Sequence, residues 1–161
     1  MPEMLEPGPL DLGQPAPDFT LPRDGGGTVA LSTLKGQAVI LYFYPKDDTP
    51  GCTIEAQDFT SEVESFASSG AVILGISKDS VKSHDKFRDK YGLKIALLYD
   101  EHSDVCERYG VWAEKSMFGN DFMGIVRSTF LIDKDGTLAH IWRKVTVEGH
   151  TDEVLAAVRA L

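Results

Sequence analysis

Continuous apolar runs alternate with amphipathic stretches along this chain. The longest run, residues 38–44, predicts a central β-strand that is covered on both faces. Shorter runs at residues 72–76 and 95–99 predict two more buried strands. Apolar side chains recur at helical spacing over residues 49–70, which end in a glycine, and over residues 80–91.

Hairpin patterns lie near both ends of the chain. Residues 19–21 and 29–31 predict two short strands across a glycine-rich turn at 24–27. Residues 126–132 and 138–145 predict a second hairpin, joined by a tight turn of aspartate, lysine and glycine.

Shorter elements complete the pattern. Residues 32–36 predict one helical turn, and residues 113–124 predict a loop. Ser103 is predicted to cap a short helix that ends near Tyr109, and Thr151 to cap the last helix. That helix is expected to present four apolar side chains to the core: Val154, Leu155, Val158 and Leu161.

This order of elements indicates an α/β fold with a mixed central sheet flanked by helices. With 161 residues, the chain is expected to form a single domain over 1–161. Residues 1–15 are rich in proline, glycine and acid, and are expected to form a loosely ordered arm.

Charge and cysteine content exclude several classes of function. The net charge of -9 leaves no basic surface for nucleic acid or for an anionic membrane. No apolar run reaches the length of a membrane span, and residues 1–10 lack the features of a secretory signal. Two cysteines without a C-x-x-C spacing do not form a disulfide framework, so we expect a reducing, cytoplasmic location.

The turn after the central strand carries the best candidate for chemistry. Thr49 is a suitable N-cap, and Pro50 suits the first helical position. This counting places Cys52 third in the helix, where unpaired N–H groups and the helix dipole favour negative charge. A thiol at such a position is activated as a thiolate nucleophile, so Cys52 is predicted to be reactive.

The same turn resembles the active-site signature of the peroxiredoxins. Pro45, Thr49 and Cys52 match the pattern P-x-x-x-T-x-x-C within the run YPKDDTPGCT. The resemblance is strongest to the bacterioferritin-comigratory-protein subfamily of thioredoxin-dependent peroxidases. It extends over nearly the whole chain, through the runs Ala16-Pro17-Asp18-Phe19, Tyr109-Gly110-Val111-Trp112 and Gly124-Ile125-Val126-Arg127-Ser128-Thr129-Phe130-Leu131-Ile132-Asp133.

The resemblance implies a thioredoxin-like fold with an N-terminal β-hairpin extension. It also implies a thiol peroxidase that reduces hydrogen peroxide and organic hydroperoxides through a sulfenic acid on Cys52. Thioredoxin, glutathione or another thiol would then recycle the enzyme, without a cofactor. We expect a monomer or weak dimer that binds neither nucleic acid nor membrane.

Four residues are expected to carry this chemistry. Cys52 is the nucleophile, and Thr49 is one helical turn before it, so its hydroxyl can reach the sulfur or a bound peroxide, besides capping the helix. Pro45 would shield the thiolate from water, or serve loop geometry alone. Arg127 matches the active-site arginine of the family, and without the resemblance it would be an ordinary strand-end residue. Glu55 is interpreted as structural, because its charge would oppose a thiolate.

Metal chemistry is not expected. His84, His102, His140 and His150 show no pairing with cysteines or carboxylates at the spacing of metal ligands.

The chain departs from the family in the cysteine that would resolve the sulfenic acid. Many members of the subfamily carry a resolving cysteine five residues after the first, where this chain has Gln57, and others carry it in the next long helix, where this chain has none. Cys106 is predicted to be a buried core residue. We therefore predict a one-cysteine mechanism, with resolution by Cys106 as the alternative.

Two other classes of function remain open. A thioredoxin-like disulfide reductase is opposed by the absence of a C-x-x-C motif. A non-enzymatic redox sensor or binding module on the same scaffold is opposed by the joint presence of Pro45, Thr49, Cys52 and Arg127.

Overall fold

A five-stranded mixed sheet forms the centre of the molecule. The computed structural model describes residues 10–101 and 103–161. Within these residues, the strands are β1 Thr20–Pro22, β2 Thr28–Ala30, β3 Ala38–Phe43, β4 Ala71–Ser77, β5 Ala96–Tyr99, β6 Trp112–Met117, β7 Asn120–Ile125, β8 Ser128–Ile132 and β9 Leu138–Arg143. The α-helices of the same part of the chain are α1 Pro50–Ser61, α2 Val63–Ser68, α3 Val81–Tyr91, α4 Val105–Arg108 and α5 His150–Arg159.

The strands of the central sheet follow the order β5-β4-β3-β8-β9. Strands β3, β4 and β5 run parallel, whereas β8 and β9 are antiparallel to their neighbours. All six residues of β3 are buried, as the long apolar run predicted. The expected mixed sheet with flanking helices is therefore confirmed.

Side chains of β3 alternate between two hydrophobic cores, one on each face of the sheet. Ile40 and Tyr42 pack with residues of α1, α2, α3 and α5. Val39, Leu41 and Phe43 pack on the other face with residues of β1, α4 and β8. Because side chains alternate along a strand, the two cores are separated by the sheet itself.

The N-terminal hairpin extension is present. Strands β1 and β2 pair antiparallel, and a 3₁₀ turn at Leu31–Leu34 follows them as predicted. Part of the predicted arm is hydrogen-bonded to the β8–β9 turn region: the Gly13 N–H donates to the Leu138 carbonyl, and the Leu138 N–H donates to the Gln14 carbonyl. Residues 1–9 of the arm lie outside the described residues.

One predicted loop is a β-hairpin. Residues 113–124 were expected to lack regular structure, but β6 and β7 pair antiparallel from Trp112 to Ile125. The turn is made by Phe118 and Gly119, both at positive φ (54° and 80°). This prediction was wrong because both strands are largely exposed, without a regular alternation of apolar and polar residues, and a Phe-Gly turn is not a common hairpin signal.

The helix predicted over residues 49–70 is interrupted. Glu62 has φ -108° and ψ 9°, which separates α1 from α2. The Ser61 hydroxyl donates to the Asp58 carbonyl at 2.8 Å, and the Glu62 N–H donates to the Phe59 carbonyl. These two local bonds, one from a side chain and one from the backbone, compete with the hydrogen bonds of a continuous α-helix and explain the break.

Two predicted caps and one core contact were also wrong. Asp104 holds the N-cap position of α4, and the Ser103 hydroxyl donates to Asp100 instead. Gly149 precedes α5, so Thr151 lies inside that helix. Leu161 follows the helix end and is 57% exposed.

No helix within residues 10–101 and 103–161 is long and apolar enough to cross a membrane.

Candidate active site

Cys52 lies at the carboxyl end of the central strand. Thr49 is the N-cap of α1, Pro50 is its first residue and Cys52 is its third, as the sequence predicted. The first intrahelical bond runs from the Thr53 N–H to the Thr49 carbonyl at 2.8 Å. The N–H groups of Gly51 and Cys52 precede that bond, so they are placed to stabilise negative charge at the helix start. The cysteine itself is 1% exposed.

Arg127 supplies a cation next to the sulfur. It lies between β7 and β8. Because β8 pairs antiparallel with β3, Arg127 lies at the carboxyl end of β3, where Cys52 also lies. Its Nη2 donates to Cys52 Sγ at 3.3 Å. Gly51 permits this approach, because a Cβ on that residue would lie 3.2 Å from Nη2.

Glu55 holds the other side of the guanidinium. Arg127 Nη1 donates to Glu55 Oε1 at 2.7 Å, and the Glu55 side chain is 1% exposed. Burial raises the pKa of Glu55 to about 7, against the lowering effect of the Arg127 cation. Among the described residues, Glu55 Oε2 has no hydrogen-bond partner.

The Arg127 cation is fixed by its anionic neighbours. Burial alone would lower the pKa of Arg127, but Glu55 and the Cys52 sulfur outweigh burial and raise it. The Arg127 guanidinium therefore joins the Cys52 sulfur and the Glu55 carboxyl group by hydrogen bonds at the start of α1.

Thr49 and Pro45 lie in the same loop, but with contacts that differ from the predicted ones. The Thr49 hydroxyl does not cap α1; it donates to the Lys46 carbonyl at 2.8 Å. The predicted side-chain cap is therefore wrong, because the hydroxyl forms a hydrogen bond within the preceding loop instead of with a first-turn N–H of α1. Pro45 is exposed to solvent directly after Tyr44. The roles of Thr49 and Pro45 toward peroxide stay predictions.

Histidine pairing is the main feature that the sequence did not reveal. The spacing of His84 in the sequence gave no sign of a carboxylate partner, yet its Nδ1 lies 2.7 Å from Asp47 Oδ2. The two residues are 37 positions apart, so only the packing of α3 against the active-site loop brings them together. The described residues contain no cluster of histidine, cysteine or carboxylate that could hold a metal, and His102 lies outside them.

Cys106 lies in the other core. Cys52 belongs to the core formed with Ile40 and Tyr42, whereas Cys106 belongs to the core formed with Leu41. Cys106 is fully buried, as predicted. Burial raises the pKa of the Cys106 thiol, and the neighbouring Asp100 carboxylate raises it further.

Comparison with known sequences assigns this arrangement to a family. The profile of the AhpC/TSA family matches residues 12–141. A putative peroxiredoxin Bcp of Coxiella burnetii is 53% identical over 146 residues, which cover 91% of this chain and 97% of that protein. Peroxiredoxin Bcp of Bacillus subtilis is 51% identical over 150 residues, covering 93% and 96%.

A solved structure shares the fold. The bacterioferritin comigratory protein of Xanthomonas campestris, described in connection with its alkyl peroxide reduction activity, superimposes with a TM-score of 0.87. It is 44% identical, and the match covers 93% of this chain and 98% of that chain.

Proposed function

The chain belongs to the AhpC/TSA family and is a thiol peroxidase of the Bcp peroxiredoxin type, and from this premise we propose that it reduces hydroperoxides through Cys52 alone. The separation of Cys52 and Cys106 by the central sheet carries this proposal. A disulfide requires Cα atoms within about 7 Å, with the side chains directed at each other. Two thiols in cores on opposite faces of the sheet do not meet that condition while the fold is intact.

The first step is the attack of the Cys52 thiolate on one peroxide oxygen. The O–O bond breaks, the sulfur becomes a sulfenic acid, and the other oxygen leaves as hydroxide or alkoxide and takes up one proton. Arg127 stabilises the thiolate and the charge on the leaving oxygen, because its Nη2 already contacts the sulfur. The N–H groups at the start of α1 add to this stabilisation.

Thr49 and Pro45 complete the proposed site. The Thr49 hydroxyl would orient the bound peroxide, and its present bond to the Lys46 carbonyl keeps it in the loop that precedes Cys52. Pro45 would limit access of water from the loop side. Its position in the loop that precedes Cys52 supports this role.

External thiols complete the cycle. One thiol condenses with the sulfenic acid, releasing water and forming a mixed disulfide, and a second thiol frees Cys52 as the donors become a disulfide. Thioredoxin, glutathione or another small thiol would serve as reductant, which fits a reducing cytoplasm. We propose a monomer or weak dimer that acts on hydrogen peroxide and, as the Xanthomonas relative's description suggests, on alkyl hydroperoxides.

A peroxide-consumption assay with dithiothreitol tests the proposal. We expect wild type and Cys106→Ser to consume peroxide at similar rates, and Cys52→Ser to have no activity above the uncatalysed rate. Because the assay supplies the thiol, a sensor or binding module would consume no more than stoichiometric peroxide. Equal turnover by wild type and Cys52→Ser would refute the assignment of the nucleophile.

A further inference from the structure

The loop that carries Cys52 toward α1 is tied to α3 by two adjacent carboxylates. Asp47 contacts the first turn of α3, and Asp48 contacts its last turn. Both residues directly precede Thr49, the N-cap of the reactive helix. Helix α3 therefore fixes the position of the Cys52 turn from both of its ends.

Asp47 is the buried part of this connection. Its Oδ1 accepts a 2.6 Å bond from the Tyr44 hydroxyl, and its Oδ2 accepts a 2.8 Å bond from the Ser83 hydroxyl. His84 Nδ1 lies 2.7 Å from the same Oδ2. The backbone N–H of Asp47 donates to Asp79 Oδ2 at 2.8 Å, so both the side chain and the main chain are fixed.

The geometry requires a protonated histidine. His84 Nε2 lies 2.9 Å from the Leu98 carbonyl, which can only accept, so Nε2 carries a hydrogen. Nδ1 faces a carboxylate oxygen that also only accepts when ionised, so Nδ1 carries a hydrogen as well. With Asp47 ionised, the ring is an imidazolium paired with that carboxylate in a buried setting.

The charges around the ring agree with that assignment. Burial lowers the pKa of His84, but the hydrogen bond and charge of Asp47, with Asp79 nearby, outweigh burial and raise it. Tyr44, the third titratable neighbour, keeps its proton because burial and Asp47 raise its pKa. The histidine is thus the group of this cluster that loses its charge as the pH rises above the ordinary range of a histidine.

Asp48 is the exposed part of the connection. It adopts φ 57°, a conformation that few residues other than glycine accept. Lys90 Nζ donates to its Oδ2 at 2.8 Å and the Tyr91 hydroxyl donates to its Oδ1 at 2.6 Å. Because these groups are open to solvent, we expect this end to contribute less than the buried end.

We propose that His84 is a positioning residue for peroxide reduction: its proton holds the Cys52 turn through Asp47, and loss of that proton releases the turn. This rests on the proposed role of Cys52 as the nucleophile. A group whose pKa rises on folding stabilises the fold below its unfolded pKa, about 6.5 for histidine, and ceases to do so as the pH passes the raised value. The turn should therefore loosen as the pH rises through the raised pKa of His84, while the rest of α1 stays folded.

Amide hydrogen exchange over a pH series tests this in the intact protein. The readout is the protection of a peptide covering residues 46–53, corrected for the intrinsic pH dependence of exchange, between about pH 6 and pH 10. In wild type we expect protection to fall by about tenfold across the series, the scale of one charged hydrogen bond. His84→Gln should show the low protection already at pH 6, without a further fall.

His150→Gln is the matched control. His150 is also buried, donating to or accepting from the Thr129 hydroxyl at 2.8 Å, but it contacts no carboxylate of the active-site loop. Burial lowers the pKa of His150, so this histidine loses its charge at a lower pH than His84 does. We expect this variant to keep the wild-type exchange pattern of residues 46–53, even where its overall stability falls.

The same samples report on the reaction. When wild type is mixed with one equivalent of hydrogen peroxide, oxidation of Cys52 should become slower at the high-pH end of the series. His84→Gln should lack this decline, and it should react more slowly than wild type at pH 7. A wild-type turn whose protection does not change with pH, or a His84→Gln turn protected like wild type, would overturn the proposal. Turnover by Cys52→Ser would instead overturn the assignment of Cys52 as the nucleophile. The hydrogen-exchange measurement would still test whether the His84 proton holds the turn.

Discussion

Cys52 and Cys106 lie in separate cores on opposite faces of the central sheet. The two thiols also differ in surroundings: Arg127 contacts the sulfur of Cys52, whereas Asp100 lies against Cys106. A cation favours a thiolate and a carboxylate opposes one. These surroundings favour Cys52 over Cys106 as the proposed nucleophile.

One equivalent of peroxide without reductant should give a sulfenic acid and no intrachain disulfide. Cys52 is expected to form a dimedone adduct, while Cys106 should remain alkylatable after denaturation. Bridging would need the two Cα atoms within about 7 Å, and the sheet separates them. Mass analysis of the labelled peptides measures both outcomes.

Cys106→Ser serves as the control for that measurement. It should give the same dimedone adduct at the same rate, because Cys106 lies in the core on the other face of the sheet from Cys52. With excess peroxide both proteins should proceed to the sulfinic acid, since no internal thiol intercepts the intermediate. A peptide pair joined through Cys52 and Cys106 would make Cys106 the resolving residue.

Removal of the cation should slow the reaction strongly. Arg127→Met is expected to lower the rate of Cys52 oxidation by about a hundredfold, the scale of losing one charge-stabilising donor. Alkylation of Cys52 against pH should show a smaller thiolate population. Because the variant leaves Glu55 buried without its partner, the double variant Arg127→Met with Glu55→Gln should be measured in parallel.

Arg143→Met is the matched control for the cation. Arg143 is an exposed arginine at the end of β9 that donates to the carbonyls of Tyr109 and Gly110 and lies over the Phe130 ring. We expect this variant to lose stability but to keep the alkylation profile and the oxidation rate. An unchanged alkylation profile in Arg127→Met would remove Arg127 from the site.

Loss of the Thr49 hydroxyl should affect orientation more than charge. Thr49→Val is expected to react with peroxide about tenfold more slowly, with little change in alkylation by iodoacetamide. Thr49→Ser keeps a hydroxyl and should restore most of the rate. A Thr49→Ser protein as slow as Thr49→Val would show that the methyl group, and not the hydroxyl, is what the site requires.

The start of the reactive helix could be predicted because its signals are local. The apolar run predicted β3, and Thr49 with Pro50 predicted the first turn of α1. Counting from Pro50 then placed Cys52 third in the helix. Arg127 lies 75 positions from Cys52, and only the resemblance to a known family linked the two residues. Strand pairing brings them together, and no local pattern encodes that pairing.

The features that the sequence did not reveal are tertiary or weakly patterned. Asp47 and His84 form a buried ion pair, but each has an ordinary local environment in the sequence. The β6–β7 hairpin lacks a buried face along most of its length, so hydrophobic alternation cannot mark it. The break at Glu62 depends on local bonds that compete with a helical pattern extending across it.

Glu55 should make the stability of the protein depend on pH. Burial raises its pKa to about 7 from an ordinary value of 4.5. A carboxyl whose pKa is raised on folding stabilises the fold below its unfolded pKa, and this contribution is lost as the pH rises through the folded value. Relative to Glu55→Gln, wild type should therefore lose free energy of unfolding between about pH 4.5 and pH 7, by up to roughly 3 kcal/mol.

Urea unfolding of wild type and Glu55→Gln at a series of pH values measures that difference. Glutamine keeps an acceptor for the 2.7 Å bond from Arg127 but cannot ionise, so its curve should lack the loss seen in wild type. Glu64→Gln, at an exposed position of α2, should follow the wild-type curve. Parallel curves for wild type and Glu55→Gln would mean that the Arg127 cation fully compensates burial, so that Glu55 is ionised in the folded protein well below neutral pH.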